Sequence, residues 1–167
     1  DDEELEAVAS SLGSDGAACL WARPVIAEGR GERLSPAPRV PVLDAVLVHP
    51  GVPVHTAEIY ARLDAMKGWG SASRPQLPEA LESAAEVAGL LSLLRNDLEA
   101  AAVATAPEVG DALEFLRGEP ESLLARVSGS GGACFALCAS DYEAESLTER
   151  IEAVRPGWWV RRTRLGA

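Results

Sequence analysis

The sequence predicts an α+β fold, a ferredoxin-like domain built on a split β-α-β pattern. Three observations predict it. The last third reads as strand, glycine-rich turn, strand, helix, strand. A lone apolar strand at 43–48 opens the pattern, and the residues between carry apolar stripes at helical spacing. Hydrophobic residues make up 47% of the 167 positions, enough to build one medium domain, or a small domain plus part of another.

Residues 2–12 (DEELEAVASSL) place Leu5, Val8, Ala9 and Leu12 on one helical face. The acids at its start suit the positive end of the helix dipole, and Gly13 is a natural terminator. Residues 19–38 (CLWARPVIAEGRGERLSPAP) read as extended segments around the turn Gly29-Arg30-Gly31. Three prolines within 35–41 mark the boundary between 1–40 and a second domain, 41–167.

The strand at 43–48 ends at His49-Pro50-Gly51. Thr56 is an acceptable N-cap for a short helix with Ile59, Tyr60 and Leu63 facing inward. Residues 67–76 (KGWGSASRPQ) form a loop. Pro78 can open a long helix with a stripe of Leu81, Ala84, Ala85, Ala88 and Leu91. Asn96 and Asp97 cap the next helix, which turns Leu98, Ala101 and Ala102 inward. Pro107 starts another, carrying Val109, Ala112, Leu113 and Leu116 before Gly118. Strands then follow at 123–127 and 133–139, a helix from Asp141 that buries Leu147, Ile151 and Val154, and a strand at 158–165.

The formal charge of −11, from 26 acidic and 15 basic residues, repels a nucleic-acid backbone and argues against nucleic-acid binding. A small anion can still be held by a local cluster of backbone N–H groups. No apolar run approaches the ~20 residues that span a bilayer, so no membrane partner is expected. The chain starts at Asp1 without a Met or a signal peptide, which reads as a cut in a longer protein. Of the three cysteines, Cys134 and Cys138 share a strand and stand ~13 Å apart, too far to bridge. Their odd number, with no disulfide framework, points to a reducing cytoplasm. His49 and His55 have no ligand spacing, so no transition-metal site is expected.

The sharpest local signal is Ser128-Gly129-Ser130-Gly131-Gly132, between two strands. Three glycines in five residues let the backbone adopt positive φ and approach a ligand closely. Successive N–H groups there can form an anion nest, and a plain hairpin loop is the alternative. Asp15 reads locally as a turn aspartate able to make an Asx-type bond. Thr56 and Tyr60 read locally as a helix cap and a core ring, while His55 is a solvated turn residue. Trp158 and Trp159 pack and pair across a strand.

The motifs resemble one family. R-V-S-G-S-G-G-A-C-F-A-L at 126–137 resembles the third motif of the GHMP kinase superfamily, a glycine-rich turn between two C-terminal-domain strands. Arg95-Asn96-Asp97-Leu98-Glu99 resembles its N-D-[LF]-E element. L-G-S-D-G-A-A-C-L at 12–20, E-G-R-G-E-R-L at 28–34 and H-P-G-V-P-V-H-T-A-E-I-Y at 49–60 resemble elements of its cytidine-substrate subgroup, and the closing P-G-W-W-V-R-R-T-R-L matches a common ending. The resemblance implies that 1–40 is a remnant of an N-terminal kinase domain and 41–167 the C-terminal domain. It implies ATP-dependent phosphorylation, with Mg2+, of the C2 hydroxyl of a cytidine-diphosphate sugar alcohol in isoprenoid precursor synthesis. Asp15 would be the catalytic base, although Asp-Gly-Ala-Ala stands where the subgroup has Asp-Val-Pro-x. Thr56 and Tyr60 would line the cytidine pocket, with Tyr60 stacking on the pyrimidine, and Ser128, Gly129, Ser130, Gly131 and Gly132 would face phosphate or substrate. The family's phosphate loop, P-x-x-x-G-L-G-x-[GS]-S, does not occur in these residues and is expected before residue 1. The expectation is therefore a chain inactive alone, its partner an N-terminal segment or a second copy. Another GHMP kinase specificity and a non-catalytic binding module are the alternatives.

Overall fold

Helical periodicity at the start of the chain is realised as α1 (Asp2–Leu12) in a computed structural model that describes residues 2–13, 15–71 and 75–166. The apolar stripe of α1 is nevertheless uncovered, with Leu5, Val8 and Leu12 at 56%, 59% and 84% exposure. A second helix, α2 (Gly16–Trp21), follows directly. Residues 19–21 are thus helical rather than extended, in keeping with the strong helix formers Ala17, Ala18 and Leu20, of which Ala17 is buried. Next, β1 (Val25–Glu28) and β2 (Arg33–Pro36) pair as an antiparallel hairpin, with Val25 opposite Pro36 and Glu28 opposite Arg33. Gly29 and Gly31 take positive φ in its turn.

The residues up to Pro41 form one compact unit with Leu77–Glu82 and Gly166. Arg39 anchors the later segment there: its N–H donates to the Glu79 carbonyl, and its own carbonyl accepts from Leu81 N. Pro78 therefore sits in an extended stretch and opens no helix. The helix that follows, α4 (Ala84–Leu93), starts instead at Ser83, whose hydroxyl accepts from Glu86 N. Ser83 and Glu86 have the spacing of a capping box, a more specific start signal than a proline five residues earlier.

The second unit is built on a four-stranded antiparallel sheet. Its strands are β3 (Leu43–His49), β4 (Leu124–Val127), β5 (Cys134–Cys138) and β6 (Trp159–Leu165), in the order β4-β5-β3-β6. The first strand lies inside the sheet between the third and fourth, and the second takes an edge. This is the ferredoxin-like order. Register places Val46 opposite Ala136, and Val48 opposite both Cys134 and Val160. With Ala125 and Val127 of β4, these residues form one continuous buried face. Against that core pack Ile59 and Leu63 of α3 (Thr56–Met66), Ala101 and Ala102 of α5 (Leu98–Thr105), Val109, Ala112, Leu113 and Leu116 of α6 (Pro107–Gly118), and Ala144, Leu147 and Ile151 of α7 (Asp141–Val154). Phe115 and Trp158 meet edge to face at 5.8 Å beside it.

Two details of α3 differ from expectation. His55, not Thr56, is the N-cap residue, and Thr56 is the first residue inside the helix. Tyr60 does not join Ile59 and Leu63 in the core and is 44% exposed. One helical turn carries Ile59 and Leu63 inward at i, i+4, and position 60 lies about 100° away on the solvent side. At the other end of α7, Val154 is also exposed.

Candidate functional site

The β4–β5 connection fixes the glycine turn. Ser128 N donates to the Ala133 carbonyl at 2.9 Å and Gly131 N to the Ser128 carbonyl at 3.0 Å. Gly129, Gly131 and Gly132 have φ of 56°, 103° and 82°, in the region that side chains avoid. Space is short as well: a Cβ on Gly131 would meet Ala102 Cβ at 2.9 Å, and one on Gly132 would lie 3.2 Å from His49 Nε2. Among the described residues, the N–H groups of Gly129, Ser130 and Gly132 have no protein acceptor. Three unaccepted donors in one tight turn are the raw material of an anion receiver.

The Arg95-Asn96-Asp97-Leu98-Glu99 element is a clamp on this turn. Asn96 Nδ2 donates to the carbonyls of Val127 (3.1 Å) and Gly129 (2.8 Å), and Asn96 Oδ1 accepts from Leu98 N at 3.1 Å. Glu99 accepts from Val127 N and pairs with Arg117 at 2.7 Å. Arg95 and Asp97 form an ion pair at 2.8 Å and hold the neighbouring loop: Asp97 accepts from Gly70 N, and Arg95 donates to the Ser71 carbonyl. The Arg95 hydrogen bond, followed by that from Gly70, holds the Asp97 carboxyl below its usual range. The sequence marks Asn96 only as a helix cap. An amide, unlike an aspartate, can cap with its oxygen and donate with its nitrogen, which is the signal that could have revealed the clamp.

A second tie joins α3 to the turn. The hydroxyls of Thr56 and Ser130 share a hydrogen bond at 2.9 Å. Thr56 is therefore brought to the glycine turn, together with His49 and Val54, which pack on Gly131 and Gly132. Tyr60, a turn further along α3, lies 6.1 Å from the Trp69 ring at a 39° tilt. Trp69 is itself fixed by an Nε1–H donated to Asp64 Oδ1 at 2.6 Å. The pair is an exposed aromatic surface, and the sequence offered no sign of Trp69's part in it.

Asp15 belongs to the first unit, as the residue before α2. Its side chain makes no capping hydrogen bond, so the Asx-type alternative is not realised, and the residue is exposed. Gly16, beside it, has a steric reason to be glycine: a Cβ there would collide with the Ala9 carbonyl of α1. Its N–H donates to the Gly13 carbonyl at 3.1 Å. Neighbouring Ser14 lies outside the described residues.

The cysteines are free, Cys19 exposed and the other two buried. Burial, with the charge of Glu99, pushes the Cys134 thiol up to about 11, and burial pushes Cys138 up to about 12. Neither is a nucleophile at neutral pH. Among the described residues no group of three His, Cys, Asp or Glu side chains could hold a metal ion, and no helix is long and apolar enough to cross a membrane.

The chain matches the family "GHMP kinases C terminal" over residues 75–156, which hold the glycine turn and its two flanking strands. More narrowly, it is 62% identical over 165 residues to a 4-diphosphocytidyl-2-C-methyl-D-erythritol kinase of Caulobacter vibrioides, covering 98% of this chain and 57% of that protein. A solved 4-(cytidine 5'-diphospho)-2C-methyl-D-erythritol kinase superposes with a TM-score of 0.75 at 29% identity, over 98% of this chain and 57% of the other. A homoserine kinase from Cytophaga hutchinsonii shares the fold at a TM-score of 0.56 and 20% identity, over 91% of this chain and 51% of the other. The chain thus spans somewhat more than half the length of the curated relatives it matches.

Proposed function

We propose that this chain is the greater part of a kinase that phosphorylates the C2 hydroxyl of 4-diphosphocytidyl-2-C-methyl-D-erythritol at the expense of ATP. High identity to enzymes named for that reaction supports the substrate. The fold alone does not, because it is shared with the homoserine kinase. The single observation that carries the chemistry is the glycine turn, clamped by Asn96 and Thr56 with three N–H groups unaccepted.

In this reading Asp15 takes the proton of the C2 hydroxyl as its oxygen forms a bond to the terminal phosphorus of ATP. The bond from that phosphorus to the bridging oxygen breaks, and ADP leaves. An exposed carboxylate with no capping bond is free for this work. The turn N–H groups stabilise phosphate oxygens, as preorganised backbone donors can. The exposed Tyr60 ring offers a face to the cytosine, a stacking worth roughly 1–3 kcal/mol in other nucleotide binders. With Thr56 bound to Ser130, its part is to join the substrate side of the site to the turn. Mg2+ commonly binds through nucleotide phosphates and one or two carboxylates, and among the described residues no acidic cluster provides a separate cage for it. When bound, it would neutralise phosphate charge.

Catalysis further needs a phosphate loop, absent from these 167 residues, from a joined or separate segment. A coupled ADP-release assay tests the reading. A full-length kinase carrying these residues should turn over the cytidine substrate and not homoserine or mevalonate, and the 167-residue chain alone should show no turnover. Robust activity of the chain alone would refute the need for that loop, and a preference for homoserine would refute the substrate.

A further inference from the structure

We propose that His49 is a further binding residue of this site, its Nε2–H acting beside the backbone donors of the glycine turn as a side-chain donor to a phosphate oxygen. The proposal rests on the reading of that turn as an anion receiver. It begins with the tautomer. Gly51 N donates to His49 Nδ1 at 3.0 Å. Only an unprotonated nitrogen accepts, so the proton of the neutral ring resides on Nε2. Gly51, at φ 88° just after Pro50, folds the chain back to make this bond.

The protonated edge of the ring lies against the turn. A Cβ on Gly132 would be 3.2 Å from Nε2 and 3.7 Å from Cδ2. Because an amide nitrogen lies about 2.5 Å from its own Cβ, the Gly132 N–H and the His49 Nε2–H are within about 6 Å of each other, a separation one phosphate group can serve. Among the described residues neither donor has an acceptor. The ring is carried by the last residue of β3, in register with Trp159 of β6, and half-buried there. A donor mounted on a strand and locked in one tautomer is placed more exactly than one on a loop.

The test uses the 15N-labelled chain titrated with inorganic pyrophosphate, read at the amides of Gly129, Ser130 and Gly132 and at the His49 ring nitrogens. Both sets should shift along one binding curve. His49→Leu should weaken binding about tenfold or more, the loss expected for a hydrogen bond to a charged group. His49→Gln, whose amide N–H2 reaches the position of Nε2, should stay within about threefold of the parent. Amide shifts in β3 and β6 report whether each variant is folded. If the leucine variant does not fold, the glutamine variant and the ring nitrogens of the parent decide. Equal affinity in the leucine variant, weak binding in a folded glutamine variant, or ring nitrogens that do not respond would overturn the proposal and leave the turn reading standing. Turn amides that ignore pyrophosphate in the parent would overturn both.

Discussion

Replacing Asn96 with alanine removes its share of the clamp and keeps the Glu99–Val127 and Thr56–Ser130 ties. Three hydrogen bonds are lost: those to the carbonyls of Val127 and Gly129, and the cap on Leu98 N. At about 1 kcal/mol net for each, the loss is about 2–3 kcal/mol, the upper end applying because the Val127 carbonyl is partly shielded from water. For a chain of this size that corresponds to a fall in Tm of about 5–10 °C. Asn96→Asp is the sharper variant. It keeps the acceptor for Leu98 N but turns a carboxylate oxygen towards two carbonyl oxygens, so it should cost more than alanine. Urea unfolding of the three proteins measures the energies, and hydrogen exchange at Gly131, whose N–H closes the turn on Ser128, reads the turn itself. An alanine variant within about 0.5 kcal/mol of the parent, the range of an ordinary surface change, would refute the clamp. So would an aspartate variant no weaker than alanine.

Three further outcomes follow from packing and burial. Gly16→Ala should cost more than a typical surface change, because the new methyl collides with the Ala9 backbone and α2 must move away from α1. Local exchange protection of α2 measures this, and unchanged protection would remove the steric account of that glycine. Cys19 should react quickly with a thiol reagent at pH 8, and Cys134 and Cys138 only on unfolding. The two buried thiols hold their protons in the folded chain to about pH 11 and about 12, against a usual value of 9.0. Their contribution to stability is therefore complete below pH 9 and is lost as pH rises through 11 to 12. A unfolding midpoint in urea that is flat from pH 9 to 11 would contradict it.

Much of the second unit was legible because its signals are local and redundant. The strand–glycine turn–strand run, the Pro107 helix start and the inward stripe of α6 all fall where periodicity places them. Reading was weaker where two start signals competed: Pro78 is a permissive one, whereas Ser83 caps the helix with a hydrogen bond from Glu86 N. It was weaker again for contacts between distant segments. Nothing in the sequence says that Thr56 shares a hydrogen bond with Ser130, 74 residues away, or that Tyr60 meets Trp69. The glycines of the turn and their need for positive φ were visible, but the close approach of Ala102 to Gly131 and of His49 to Gly132 belongs to tertiary packing. For α1 the pattern fixed the helix but not a partner for its apolar stripe, which stays exposed.

If Asp15 takes the proton of the attacking alcohol, Asp15→Asn in a full-length kinase carrying these residues should slow single-turnover phosphoryl transfer by about 10²–10⁴-fold, the usual reach of a general base. Substrate affinity, measured beside it, should be nearly unchanged. Transfer at the parental rate would contradict that role.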